Sequence, residues 1–531
     1  MKTFRVALVC LPALLACSSD DSPPPNGSTA AEQRVQQRLD TLASDEKGLR
    51  AFVQQIPKGA DLHNHLSGSV AIEKYIQWAA EDGFCTSEKS GWAATPAPCT
   101  ADQVPISNAS KDSKLFADIL SSWSMEGHTQ EPVKARHEHF FATFDKFDPV
   151  MGDTRYPYGI ADALSTAAKH HQTYVELMRS LDSWSMGELI EPLMPETGVW
   201  TEAYLLEKRA QIVANSKFQT FLDEHTTKFR DQVAQARALL KCGTAEADPG
   251  CNVDVRFMME SYRTQSKQFV FGQWLYGFEL AQKEPLVVGV NIVSPEEAPV
   301  SLQNYNDEMF AVGVLAKMNA ADATRKPVHV SLHAGELIPD VLPQNDEGQR
   351  HLTFHVDQAV EAGRAERIGH GTDVLSEVAK DPGLFDELRA RNVLIEVSLK
   401  SSSLLLGYEG ERHPLGTLIQ KGVPVALSTD DQSIFRTSIT EDWLLAIQRN
   451  RLSYVALKKL ARAGVEHSFL PGKSLWAEPN RPDRVVAECA QDNLGKTEVS
   501  KGCLDYVQAN ERAALQWKLE RELAAFESSL P

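Results

Sequence analysis

Four short strings hold the residues best able to do chemistry: His63-Asn64-His65, His333-Ala334-Gly335-Glu336, Gly369-His370-Gly371 and Thr429-Asp430-Asp431. Imidazoles and carboxylates are the ligands of divalent transition ions and the general acids and bases of hydrolysis. Residues two apart on a strand face the same side, so His63 and His65 can address one ion. Alone, such a pair is weak evidence, because two histidines on one strand face are often polar surface or hydrogen-bonded core. The other strings add weight. His333 closes the run Val328-His329-Val330-Ser331-Leu332, His370 follows Arg367-Ile368-Gly369, and Asp430 closes the run from Val423 to Thr429. Each polar residue stands where a β-branched, buried run ends, which is where parallel barrels place their chemistry. Together the strings read as one metal site.

Positioning such a site requires strands in a fixed order. Eight candidates are present, at residues 60–66, 173–178, 253–259, 286–293, 328–333, 367–370, 393–399 and 423–429. Helix-like segments at 218–240, 305–319, 353–362 and 382–391 fall between them. Strand and helix alternating eight times predicts an α/β fold, a (β/α)8 TIM-type barrel. The ligands then come from the first, fifth and eighth strands, with His370 following the sixth. Ahead of the barrel, Val35, Leu39, Leu42, Leu49, Phe52 and Val53 recur at helical spacing and predict an N-terminal helical extension. After the first strand, residues 84–112 crowd Cys, Pro, Gly and Ser and read as an irregular, disulfide-pinned insertion. Phe140, Phe141, Phe144 and Phe147 then form an aromatic stripe, either helix core or an apolar wall over a pocket.

At 531 residues, with 42% hydrophobic and 24% charged, the chain is globular and long enough for one large barrel with insertions or for two domains. We take residues 32–531 as a single barrel domain. A formal net charge of −18 and the lack of a Lys/Arg-rich block argue against a nucleic-acid partner. Lys2 and Arg5 precede an apolar run at 6–16 that is too short to span a bilayer. The string Leu14-Leu15-Ala16-Cys17 resembles a bacterial lipoprotein signal. On that reading residues 1–16 are the signal peptide, Cys17 is lipidated, and residues 17–31 are a flexible tether. The protein is then exported and lipid-anchored in the cell envelope, touching membrane only through that lipid. An ordinary cleavage site with an incidental cysteine, and hence secretion, is the alternative. The remaining six cysteines fall into local pairs, Cys85 with Cys99, Cys242 with Cys251 and Cys489 with Cys503, for which sequential disulfides are the simplest closure. Export would let them form. A zinc ribbon needs closely spaced Cys knuckles that this sequence lacks.

Extended to their neighbours, the strings resemble the adenosine deaminase family of the metal-dependent amidohydrolase superfamily: His63-Asn64-His65-Leu66-Ser67-Gly68-Ser69, His333-Ala334-Gly335-Glu336, Arg367-Ile368-Gly369-His370-Gly371 and Ser428-Thr429-Asp430-Asp431. Tyr174-Val175-Glu176, His413-Pro414-Leu415 and Ser468-Phe469-Leu470 add weaker similarity, and the likeness runs over residues 57–472 with interruptions. Length, export and the early insertion are more like the secreted, growth-factor-type branch. The resemblance implies that His63, His65, His333 and Asp430 hold one Zn²⁺ per chain, an ion that lowers the pKa of water toward neutrality. It further implies that Glu336 protonates the purine at N1, that His370 orients or deprotonates the attacking water, and that Asp431 binds N7 and helps hold the nucleophile. His65, Ser67 and Ser294 join Asp431 as substrate contacts. Taken singly, Glu336 and Asp431 could be helix caps and His370 a structural histidine.

Two positions depart from the family pattern. Ser67 stands where the family usually has an Asp that meets the ribose 5′-hydroxyl. Asn291-Ile292-Val293-Ser294 stands where it usually reads Asp-Leu-x-Gly, so a side chain at Ser294 is expected to crowd the approach to purine N3. The expected function is zinc-dependent hydrolytic deamination of adenosine, with 2′-deoxyadenosine as a further substrate, to inosine and ammonia. The alternatives are a deaminase of another 6-aminopurine (adenine, a modified adenosine or a nucleotide) and a non-catalytic binding or signalling module. Two-metal hydrolases of the superfamily generally use a bridging lysine at the end of the fourth strand, and residues 287–293 contain none.

Overall fold

The computed structural model describes residues 28–195, 199–482 and 484–530. The expected signal, Cys17 and most of the tether lie outside the described residues. Eight strands form one parallel sheet in chain order: β1 Gly59–His65, β2 Gln172–Arg179, β3 Asp254–Tyr262, β4 Val287–Val293, β5 His329–Ala334, β6 Arg367–His370, β7 Leu394–Val397 and β8 Val425–Leu427. Every neighbouring pair is parallel. Each coincides with an expected strand to within a few residues, because strands covered on both faces are written as unbroken apolar runs. The ring closes through a single parallel bridge between Asn64 and Asp430. There the Asp430 amide donates to His63 O at 2.9 Å and the His65 amide to Asp430 O at 3.3 Å. The seam of the barrel therefore lies between two of the expected ligand strings. Beneath it, Asp61 accepts from the Thr429 hydroxyl at 2.6 Å and from Asn64 at 3.2 Å, tying the first strand string to the last.

The N-terminal extension is two helices, Ala30–Leu42 and Glu46–Gln55. The first opens on a capping box between Thr29 and Glu32, so Ala30 and Ala31 are helical and the tether ends earlier than expected. Its Glu32 meets the buried Lys458, which also pairs with Glu527 of the last helix, Glu511–Ser528, joining the chain's two ends over the barrel.

The insertion after β1 is more ordered than its composition suggests. Cys85–Thr86 pairs antiparallel with Val104–Pro105, and the Cys85–Cys99 disulfide closes the loop between them. Cys242–Cys251 and Cys489–Cys503 are bonded as well, the latter inside a small separate core with Leu475, Trp476 and Trp517. The aromatic stripe lies on the helix Val133–Phe147 and serves both readings. Phe147 is fully buried against Tyr75, while Phe140, Phe141 and Phe144 line a cavity at the C-terminal mouth of the barrel.

Candidate metal and active site

Three imidazoles and one carboxylate converge at the barrel seam. One ligand atom from each of His63, His65, His333 and Asp430 lies within 4.8 Å of all the others, and all four residues are buried. His63 and His65 reach the same point because they are two apart on β1. His333 comes from β5, and Asp430 from the turn after β8, where its backbone adopts a left-handed φ of 59°. His370, the last residue of β6, is also left-handed, at 66°. Such conformations are costly for non-glycine residues and are held where surrounding structure fixes them. Gly369 is required beside His63, since a Cβ there would come within 2.6 Å of the His63 ring.

Each expected ligand histidine has its Nδ1 occupied. His63 Nδ1 donates to Glu396 at 2.7 Å, His65 Nδ1 to Glu260 at 2.9 Å and His333 Nδ1 to Asn291 at 2.7 Å. That assigns the lone pairs to Nε2, and these atoms face one another. His65 Nε2 and His333 Nε2 are 3.3 Å apart, and His63 Nε2 is a buried atom without a hydrogen-bond partner. Asp430 Oδ1 stands 3.4 Å and 3.6 Å from His65 and His63 Nε2. Lone pairs and a carboxylate aimed at one buried point fit a cation and nothing neutral. The electrostatics agree. Burial opposes charge on His63, yet Asp430 and Glu396 push its pKa up to about 10. Burial likewise resists ionisation of Asp430, but His63, His370 and His65 hold it well below the usual carboxylate range.

The other expected site residues gather around this point. Glu336 Oε1 is 3.6 Å from His370 Nε2, and both share a potential ligand cluster with Asp430. Burial raises the Glu336 carboxyl well above its ordinary value, aided by Asp430 and Glu296. Burial, Asp430 and Glu260 do the same to Asp431. Burial thus opposes ionisation of both carboxyls, the direction a proton donor needs. Burial holds His370 down to about 4, as a neutral base. No helix starts at Glu336 or at Asp431, so neither is a helix cap. Asp431 Oδ1 is buried and unbonded against Gly68, where a Cβ would clash at 1.7 Å. The cavity over these groups measures about 610 Å³, and Ser67, His65 and Ser294 all line it. Ser294 has a φ of 82°, a left-handed conformation that suits the glycine the family usually carries here.

Sequence reasoning missed Glu260 and Glu396, the acceptors behind His65 and His63. Their signal was a carboxylate inside the apolar runs of β3 and β7. It missed Arg367 too, which pairs with Glu176 at 2.5 Å and Glu396 at 2.6 Å in the fully buried barrel interior. Asn291 was noted only as a departure near the substrate, whereas its side chain orients His333.

Residues 230–476 match the family model described as adenosine deaminase. Over that stretch, a little under half of the chain, it is similar to the adenosine deaminase family. The His63–His65 pair lies outside the matched stretch, and the fold brings it to the other ligands. Among curated relatives, the chain is 36% identical over 118 residues to an aminodeoxyfutalosine deaminase of Streptomyces coelicolor, covering 22% of this chain and 30% of that one. It is 30% identical over 152 residues to the adenosine deaminase of Xenopus laevis (28% and 38%), and 33% identical over 124 residues to an adenine deaminase of Rhodopseudomonas palustris (23% and 35%). The matches thus span about a third of the length of these relatives. A zinc-bound amidohydrolase from Burkholderia ambifaria superimposes with a TM-score of 0.50 at 16% identity, covering 90% of this chain and 95% of that one, a likeness of fold alone.

Proposed function

We propose that this protein is a zinc-dependent hydrolytic deaminase of 6-aminopurine nucleosides, with adenosine as its first candidate substrate. One observation carries the reading: a three-histidine, one-aspartate cation site opens onto a cavity lined by two buried carboxyls, Glu336 and Asp431, and a buried imidazole, His370. An N₃O donor set of this kind suits Zn²⁺, which when bound supplies water acidified enough to act near neutral pH. Glu336 donates its proton to ring N1, drawing electrons from C6. Asp431 donates to N7, and the Ser294 amide faces N3. His370 takes the proton of the attacking water as the C6–O bond forms. His370 returns that proton to the 6-amino group, the C6 hydroxyl gives its proton back to Glu336, and cleavage of the C6–N bond releases ammonia and leaves the C6 carbonyl. Relatives named as deaminases of adenosine and of adenine support the reaction class.

The outer cavity favours a nucleoside over a nucleotide. Asp145, on the helix Val133–Phe147, and Asp148 just after it line the cavity without a hydrogen-bond or ion-pair partner for either carboxyl among the described residues, and burial pushes Asp148 up to about 7. Hydroxyl donors suit that wall, and its negative charge works against a phosphate, although Arg179 lines the same cavity with Nε and Nη1 unbonded. Ser67 and Ser294 keep another neutral 6-aminopurine as the second reading. Three disulfides fit the proposed location outside the cytoplasm, lipid-anchored or secreted.

The test is a substrate panel with the zinc-loaded full chain, following the ultraviolet change on loss of the 6-amino group. Adenosine and 2′-deoxyadenosine should turn over, with AMP slower by at least about tenfold in kcat/KM. Turnover of AMP above adenosine, or of neither, would overturn the assignment.

A further inference from the structure

Glu296, in the loop just after β4, is only 2% exposed and makes four polar contacts. Its Oε1 accepts from the Gly335 amide at 3.1 Å and its Oε2 from the Glu336 amide at 2.8 Å. His355 Nδ1 lies 2.5 Å from Oε1, and Arg263 Nη1 lies 3.6 Å away. The two amides belong to no helix or strand, since β5 ends at Ala334. Gly335 is left-handed at 74°, so the chain leaves the strand path between the ligand His333 and the acid Glu336. One carboxylate holds both of these free N–H groups.

That carboxylate is itself held. Burial works against its ionisation, yet His355, Arg263 and the Glu336 amide bring its pKa down to about 2. His355 is fully buried, stacks on Tyr305 with ring centroids 3.6 Å apart, and takes a 2.8 Å contact at Nε2 from His351 Nδ1. Arg263 also donates to the His333 carbonyl at 2.6 Å, so the same pair steadies both ends of the segment.

We propose that Glu296 is a positioning residue for Glu336: by binding the Gly335 and Glu336 amides it aims the Glu336 carboxyl at the substrate ring, and His355 and Arg263 hold it in place. This rests on the deaminase reading of the site. Glutamine at 296 keeps the shape, but each of its orientations sets an NH₂ donor against an N–H donor, so the segment loses a bond and gains a repulsion.

The experiment is a double-mutant cycle in the zinc-loaded full chain: wild type, Glu296→Gln, Glu336→Gln and both together, with kcat, KM and zinc content measured on the best substrate of the panel. Glu296→Gln should lower kcat about 10²-fold, as a displaced catalytic group does, while KM and zinc stay within about threefold. In the Glu336→Gln background the same change should cost less than about twofold. Equal losses in both backgrounds would overturn the proposal, as would loss of zinc. A Glu336→Gln variant with intact kcat would instead overturn the deaminase reading. Should Glu296→Gln fail to fold, His355→Phe takes its place, since it withdraws one donor from Glu296, keeps the ring against Tyr305 and leaves both amides. It must show a smaller loss with the same dependence on Glu336.

Discussion

His333 Nδ1 lies 2.7 Å from the amide oxygen of Asn291, whereas His63 and His65 direct the same atom to the carboxylates of Glu396 and Glu260. A neutral acceptor fixes the ring's orientation but adds no charge to the ligand. His333 is thus the least electron-rich of the three imidazoles, and Arg263 at its carbonyl lowers it further.

Removing the acceptor should loosen the ion. Groups that orient a metal's histidines typically contribute about 10–100-fold in affinity. Asn291→Ala should therefore lose zinc at correspondingly lower chelator concentrations, and Asn291→Asp should recover it by restoring a charged acceptor. Equal chelator midpoints for all three proteins would show that ring orientation is set elsewhere, by packing around β5.

The strand order was legible in the sequence because strands covered on both faces leave unbroken apolar runs, and the ligand strings were legible because polar residues end those runs. Residues 367–370, expected as a strand, form β6 with identical limits. The support behind the ligands was not legible. His63 and Glu396 are 333 positions apart, and nothing in either run says which residue the carboxylate faces. The role of Ser294 was half visible: its departure from glycine was plain, but its positive φ belongs to the backbone. In the insertion, Gly, Pro and Ser suggested irregular chain, and one disulfide supplied the order that its apolar content could not.

Glu308 gives a pH signature independent of catalysis. It is 1% exposed on the helix Pro299–Ala321, neither carboxyl oxygen has a hydrogen-bond partner, and burial pushes its pKa from 4.5 up to about 8. Between those values the folded state holds a proton that the unfolded state releases. Its contribution to stability is full below pH 4.5 and is lost as pH rises through about 8, with a slope of up to about 1.4 kcal/mol per unit. Glutamine at 308 cannot ionise. The melting temperature of Glu308→Gln relative to wild type should therefore climb between pH 5 and pH 9, and a constant difference would mean that water or Arg263 already satisfies the ionised form.

At Ser294 the backbone is left-handed, so the response to substitution should depend on shape at Cβ. Ser294→Gly should stay within about 1 kcal/mol of wild type in denaturant unfolding, since relief of strain is offset by greater freedom in the unfolded chain. Ser294→Val should lose about 1–3 kcal/mol, because a β-branched residue is poorly accommodated there. If the amide meets the purine, Ser294→Gly should also lower KM. Matching stabilities for the two variants would show that the loop relaxes to an ordinary conformation.

Ser67 tests how the sugar is held. It lies in the short helix Leu66–Ser69, lines the cavity next to His65, and is fixed by its carbonyl, which accepts from Tyr75 Oη at 2.9 Å. A hydrogen bond to a charged acceptor is worth about 1.5–3 kcal/mol, against about 1 for a neutral one. If Ser67 meets the 5′-hydroxyl, Ser67→Asp should widen the kcat/KM ratio of adenosine to 5′-deoxyadenosine by about tenfold. The same cavity already offers the carboxyls of Asp145 and Asp148. An unchanged ratio in Ser67→Asp, together with a ratio that collapses in Asp148→Asn, would place the sugar against Asp148 and make the end of the helix Val133–Phe147 the determinant of which nucleoside this cavity accepts.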